Sequence, residues 1–263
     1  MKTLFGRTLY EKRWFVVGWA LAFGVIGTLI LMFYPSFSEN GGFDEVAKTL
    51  PSQLQGFIGD PDVFKTIEGF IASQVYDVRM SLMIIIMTLV LAVSLTVREE
   101  ENGDMRTTLM TSLSRERVVT EKFLAAVVII TILNLVTTAG IYIGLVSLGE
   151  VMPHVLIWQL FALSCLFGIT AFTIPYAIAL ATGKRAITLF VGLVVAIGSY
   201  ILSTFARTVD WLESWDYISL IHYYDTASVR HGTFDRLDVI TLISIGVISL
   251  LVAFIAFRSR DIN

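Results

Sequence analysis

The chain has 263 residues, 56% of them hydrophobic and only 16% charged, with a formal net charge of −3. Soluble domains are about 45–50% apolar and about 25% charged, so this balance excludes an ordinary water-soluble enzyme or binding module. The apolar residues gather in runs as long as a bilayer is thick, roughly 20 residues per helical span.

Residues 1–13 read as a short interfacial helix. Leu4, Phe5 and Leu9 share one face, and Lys2, Arg7, Lys12 and Arg13 supply positive charge for lipid headgroups; the plain alternative is a basic flank. The first apolar run, 14–34, is too long for a cleavable signal peptide and is held by Lys12-Arg13 as an anchor. Segment 35–79 follows. Its first part, 36–62, is rich in Gly, Pro, Ser and acids and so loop-like. Its second part spaces Val63, Ile67, Phe70, Ile71 and Val75 as an amphipathic helix on the outer surface, with Asp62 as its cap.

The second run is 80–97, with an alternative start near Ile71. After the polar connector 98–122 come runs 123–148, 155–182, 186–206 and 239–257. None of the six runs contains Asp, Glu, Lys, Arg or His, as the cost of charge in hydrocarbon requires. The runs are too long and too uniformly apolar for barrel strands. Pro175 predicts a kink in the fourth, or a helix followed by an interfacial turn. The same run holds the single cysteine, Cys165, which reads as a packing residue. Segment 207–238 carries Trp211, Trp215, Tyr217, Tyr223 and Tyr224. Such aromatics favour the membrane interface, and the segment reads as one or two partly re-entrant helices. Its acids and His222 and His231 match no metal-ligand spacing and read as a solvated acidic loop.

With the N-terminus inside, the inner segments hold 13 basic and 8 acidic residues, and the outer segments 6 basic and 14 acidic. The positive-inside rule therefore places both termini in the cytoplasm. The expected fold is an all-α integral membrane protein with six transmembrane helices in the cell membrane.

No catalytic centre is legible. Gly183-Lys184 is followed by Arg185 and preceded at five positions by Ile178, which does not fit a phosphate-binding loop. The spans keep no ionisable relay for an ion-coupled carrier, so energy for transport would come from another chain. Uncharged polar residues do occur in them. Asn134, Thr138, Tyr142, Thr173, Tyr176, Tyr200 and Ser203 are candidates for a mildly polar substrate pathway; interhelical hydrogen bonding is the simpler use of each. Gly140-x-x-x-Gly144 and Ser164-x-x-x-Gly168 permit close helix approach, within the chain or across a dimer.

Connector 98–122 leaves one span with Glu99-Glu100-Glu101, turns at Asn102-Gly103, and offers a short helix with Met105, Leu109 and Leu113 on one face before Arg115 and Arg117. A mixed-charge helix with an apolar ridge suits a groove on a cytosolic partner; a solvated connector is the equal alternative. Here the sequence resembles the permease subunits of bacterial ABC-2-type transporters. Arg98, Glu99, Glu100, Glu101, Gly103, Leu109, Ser114, Arg115, Val118 and Lys122 fall on that family's first intracellular loop. The departures are Asp104-Met105-Arg106 for the commoner Thr-Leu-Glu, Thr107 and Thr108 for apolar residues, and Ser112 for Pro.

The resemblance implies a permease dimer, with a second copy or a paralogue, set in membrane lipids. It implies a cytosolic ATP-binding subunit that holds ATP and Mg, with no cofactor in this chain and no nucleic acid. It also implies that 98–122 is a coupling helix, with Glu99, Glu100, Glu101, Gly103, Met105, Leu109, Leu113, Arg115 and Arg117 in coupling and docking. The implied function is ATP-driven export of a hydrophobic or amphiphilic substrate by alternating access. The alternatives are a membrane enzyme acting on lipid intermediates through outer-loop residues such as His222 and Asp225, and a non-catalytic membrane adaptor or immunity protein.

Overall fold

The computed structural model describes residues 3–38, 66–110, 113–206, 209–230 and 235–260. The loop expected over 36–62, the expected helix cap Asp62, Val63, Ser112 and His231 therefore lie wholly or largely outside the described residues. Among the described residues every regular element is helical.

Helix α1, Leu4–Glu11, starts where the Thr3 hydroxyl accepts a hydrogen bond from the Gly6 amide at 3.2 Å. Its Leu4 and Leu9 pack on the bundle, and Thr8 between them is buried. Helix α2, Arg13–Met32, is the first apolar helix, followed by a turn over Tyr34–Ser38.

The second span differs from expectation. A single helical run extends from Ile67 to Glu101, 35 residues. It passes from an α turn, Ile67–Phe70, through π-helical winding over Ile71–Met80 into α3, Ser81–Leu95, and ends in α4, Val97–Glu101. The helix expected to lie on the outer surface is thus continuous with the span and buried in the bundle. Its buried residues Ile71, Val75, Tyr76 and Met80 recur at four- and five-residue intervals, which the i→i+5 winding of a π-helix keeps on one face.

Gly103, at φ +81°, makes the left-handed turn from α4 into α5, Asp104–Leu109. Ser114 caps α6, Arg115–Leu148, by accepting from the Arg117 amide at 3.3 Å. Helix α7, His154–Thr182, runs through Pro175 without interruption, and α8 is Arg185–Ala206. The segment between α8 and the last long helix contributes a turn at Asp210–Glu213, a 3-10 turn at Asp216–Ile218 and α9, Thr226–Arg230. Trp211, Trp215 and Tyr217 stay exposed, while Leu220, Ile221 and Tyr224 insert into the end of the bundle. Helix α10, Arg236–Ser259, is capped by Asp235, which accepts from the Leu237 amide at 2.8 Å.

Among the described residues, six helices are long and apolar enough to cross a membrane. Helix α7 sits at the centre, against α3, α6, α8 and α10, and α6 packs along α2. The Gly140-x-x-x-Gly144 pair serves this contact inside the chain: a Cβ on Gly140 would come within 2.9 Å of the Gly24 carbonyl, and one on Gly144 within 2.9 Å of Leu31. Burial grades outward. The most apolar stretch of the Ile67–Glu101 run is 78% buried, against 17% in Arg13–Ser36 and in Arg236–Ser259. Leu21, Val25, Phe190, Ile197, Val247 and Leu251 are exposed. In water such faces would be adhesive; on a multi-pass membrane protein they are the surface that lipid covers.

Candidate functional site

The first and last described residues lie at one end of the bundle, with the α4–α5 connector between them. Three consecutive acids hold that connector to three different spans. Glu99 accepts from the Lys122 ammonium at 2.6 Å, Glu100 is ion-paired with Arg260, and Glu101 lies 3.8 Å from Arg185. Lys122 belongs to the start of α6, Arg260 follows α10, and Arg185 opens α8.

The pairs are not equal. Lys122 is 1% exposed and also donates to the Leu95 carbonyl at 2.7 Å, with the Met105 sulfur 3.6 Å away. A buried pair of this kind is weak evidence of net stability, but losing one partner strands a charge at a cost of about 3–5 kcal/mol. The Glu101–Arg185 pair is about half exposed on both sides and contributes at most about 1 kcal/mol.

Arg260 is a hub. Besides Glu100, its guanidinium donates to the Leu180 carbonyl at 2.9 Å and the Ala179 carbonyl at 3.4 Å. These are carbonyls of the last turn of α7, where the helix dipole favours a cation. Gly183, at φ +59°, leaves room for it: a Cβ there would fall 2.0 Å from the guanidinium. Arg115 completes the junction by donating to the carbonyls of Phe257, at 2.9 Å, and Arg260. On the other side, Glu121 accepts from the Phe5 amide at 2.8 Å and from Arg117 at 2.7 Å, tying α1 to α6. Lys12 donates to the Ser94 carbonyl at 2.7 Å, and burial holds its ammonium below the ordinary lysine range.

Glu99, Glu100 and Arg115 therefore hold the connector from within, whereas Arg117 is exposed and pairs along α6 with Glu121; the sequence did not assign them partners. Of the expected apolar ridge, Met105 is 1% exposed beneath α5, and Leu113 packs against the core. The side chain of Leu109 lies outside the described residues. What the connector presents outward is Gly103, Asp104, Arg106 and Thr107, with Met110 77% exposed. Arg260 and Arg185 were missed because nothing local to either residue marks it as a partner for a loop 160 or 84 positions away.

Of the candidate pathway residues, Asn134, Thr138, Thr173 and Tyr176 are buried. Asn134 donates to the Ile130 carbonyl at 2.9 Å, Thr138 to the Asn134 carbonyl at 3.0 Å, Thr173 to the Thr170 carbonyl at 2.7 Å, and Tyr176 to the Val119 carbonyl at 2.9 Å. The Asn134 side-chain carbonyl has no partner. Tyr142 meets His154 at 3.0 Å, and Tyr200 packs against the core. Ser203 lines a cavity. That cavity, of about 450 Å³ at the opposite end of the bundle, is lined by Asp77, Asp216, Asp225, Asp235, Asp238 and His222 among others.

A family model described as "ABC-2 family transporter protein" matches residues 5–262. No curated protein matches the chain.

Proposed function

The chain belongs to the ABC-2 transporter family and is a membrane permease of an ABC transporter; on that premise we propose that it is the transmembrane half of an ATP-driven exporter. The end carrying both termini faces the cytoplasm, where 98–122 meets a separate ATP-binding subunit that holds ATP and Mg. A second permease, identical or paralogous, completes the transporter in the cell membrane. The six apolar runs carry no Asp, Glu, Lys, Arg or His, although the second spanning helix holds Asp77 and Arg79 beyond its run; the proposed substrate class is hydrophobic or amphiphilic.

The observation that carries this reading is the run Glu99-Glu100-Glu101, paired to bases from three spans at the root of α5. A push on α5 pivots at Gly103 and passes through these pairs to α6, α8 and the α7–α10 junction. Packed cores switch between arrangements and do not deform continuously, so one small displacement can move several spans together. The enzyme alternative relies on Asp225 and His222. Asp225 accepts from the Ala227 and Ser228 amides at 2.9 and 3.2 Å as the cap of α9, and His222 is paired with Asp216 at 2.8 Å. Both already have structural partners.

Gentle extraction of the tagged chain from its native membranes, followed by an ATPase assay on the eluate, tests the proposal. A cytosolic ATPase is expected to co-purify and to be lost from Met110→Asp and Arg106→Glu. Recovery of the chain alone and inert would contradict it.

A further inference from the structure

Near the N-terminus of α10 the surface carries two different faces. Asp235 and Asp238 turn toward the acidic cavity, whereas Arg236, Val239 and Ile240 line a separate one between α10 and α7. This second cavity, of about 420 Å³, is completed by Ala162, Leu163 and Leu166. Its lining is almost wholly apolar, with Arg236 among the residues that form it, and its volume is within the range of about 300–1,000 Å³ typical of small-molecule sites. Leu163 forms a buried floor, and exposed Ala162, with only a methyl group, leaves the dent open to the side. Arg236 is exposed and has no ion pair among the described residues. Below it the exposed residues Ile240, Ile243 and Val247 continue down the same side of α10. At 1.5 Å per residue, Arg236 to Val247 spans about 16 Å, a length suited to an acyl chain.

We propose that the groove between α7 and α10 binds one phospholipid of the bilayer, with its phosphate on Arg236 and an acyl chain in the dent over Leu163. A cation above an apolar slot complements an anionic head on an apolar tail, and an anionic lipid is preferred over a zwitterionic one because its head carries net negative charge. The site is separate from the coupling connector and does not depend on the export reading.

The test uses the full chain in vesicles of equal phosphatidylcholine and phosphatidylglycerol. Each lipid is added in turn as a trace analogue with a photoactivatable acyl chain, and labelled peptides are mapped by mass spectrometry. The phosphatidylglycerol probe is expected to concentrate on 162–166 and 239–243 over the exposed face of α2. Arg236→Gln should lower that labelling about five-fold, and Ala162→Trp should remove the label of both probes there. Even labelling of all exposed faces in the unaltered chain would overturn the proposal, whatever the variants do. So would undiminished phosphatidylglycerol labelling in Arg236→Gln, or cross-links from this groove to a second copy of the chain in place of lipid.

Discussion

At the end that carries the termini, Glu99, Glu100 and Glu101 each meet a base from a different span. At the opposite end Asp216, Asp225, Asp235 and Asp238 surround a cavity together with His222 and, among the bases of the described residues, without an arginine or lysine in its lining. The same residue type thus does two jobs. Where acids alternate with bases from distant parts of the chain, charge fixes the relative position of helices. Where acids gather, they cap turns and line an open space: Asp225 caps α9, Asp235 caps α10, and Asp216 holds His222. Burial separates the two further, since Lys122 is enclosed while the His222–Asp216 pair is partly open to solvent.

The largest effect is expected from Glu99→Ala, which strands the buried Lys122 ammonium. Thermal unfolding in detergent should show a loss of about 3–5 kcal/mol. The double variant Glu99→Gln, Lys122→Met should recover most of it, because it removes both charges. If the single variant unfolds like the unaltered chain, the pair does not hold the connector. At the opposite end, Asp225→Ala removes a helix cap and should cost about 1 kcal/mol, with transport retained; lost transport there would revive the outer-loop enzyme. The smallest effect is expected from Glu101→Ala, under about 1 kcal/mol because the Arg185 pair is solvent-exposed. A larger loss would put Glu101 on the same footing as Glu99.

The spans were legible because charge in hydrocarbon is costly enough to leave charge-free runs, and the six helices follow those runs. The 80–97 bounds of the second span stop where Asp77 and Arg79 end its charge-free run; the alternative start near Ile71 is nearer to the observed helix, which continues on the buried spacing of Ile71, Val75, Tyr76 and Met80. Periodicity put Met105, Leu109 and Leu113 on one face but carries no sign for inward or outward, and Met105 is buried beneath α5. The contacts of Arg260 were illegible for another reason. They depend on α7, α10 and the connector meeting at one point, with Gly183 small enough to admit the guanidinium. That is tertiary information. The composition of 98–122 sets the segment apart as a charged connector, but not which side of it points in.

The most direct test of the clamp is the ratio of amphiphile transport to ATP hydrolysis, measured on the co-purified complex in proteoliposomes for the unaltered chain and for Glu100→Ala. If the Glu100–Arg260 pair carries motion from the connector to the α7–α10 junction, the variant keeps hydrolysing ATP while transport falls. Transport and hydrolysis both unchanged would contradict the account, and the acidic run would then be no more than a polar connector.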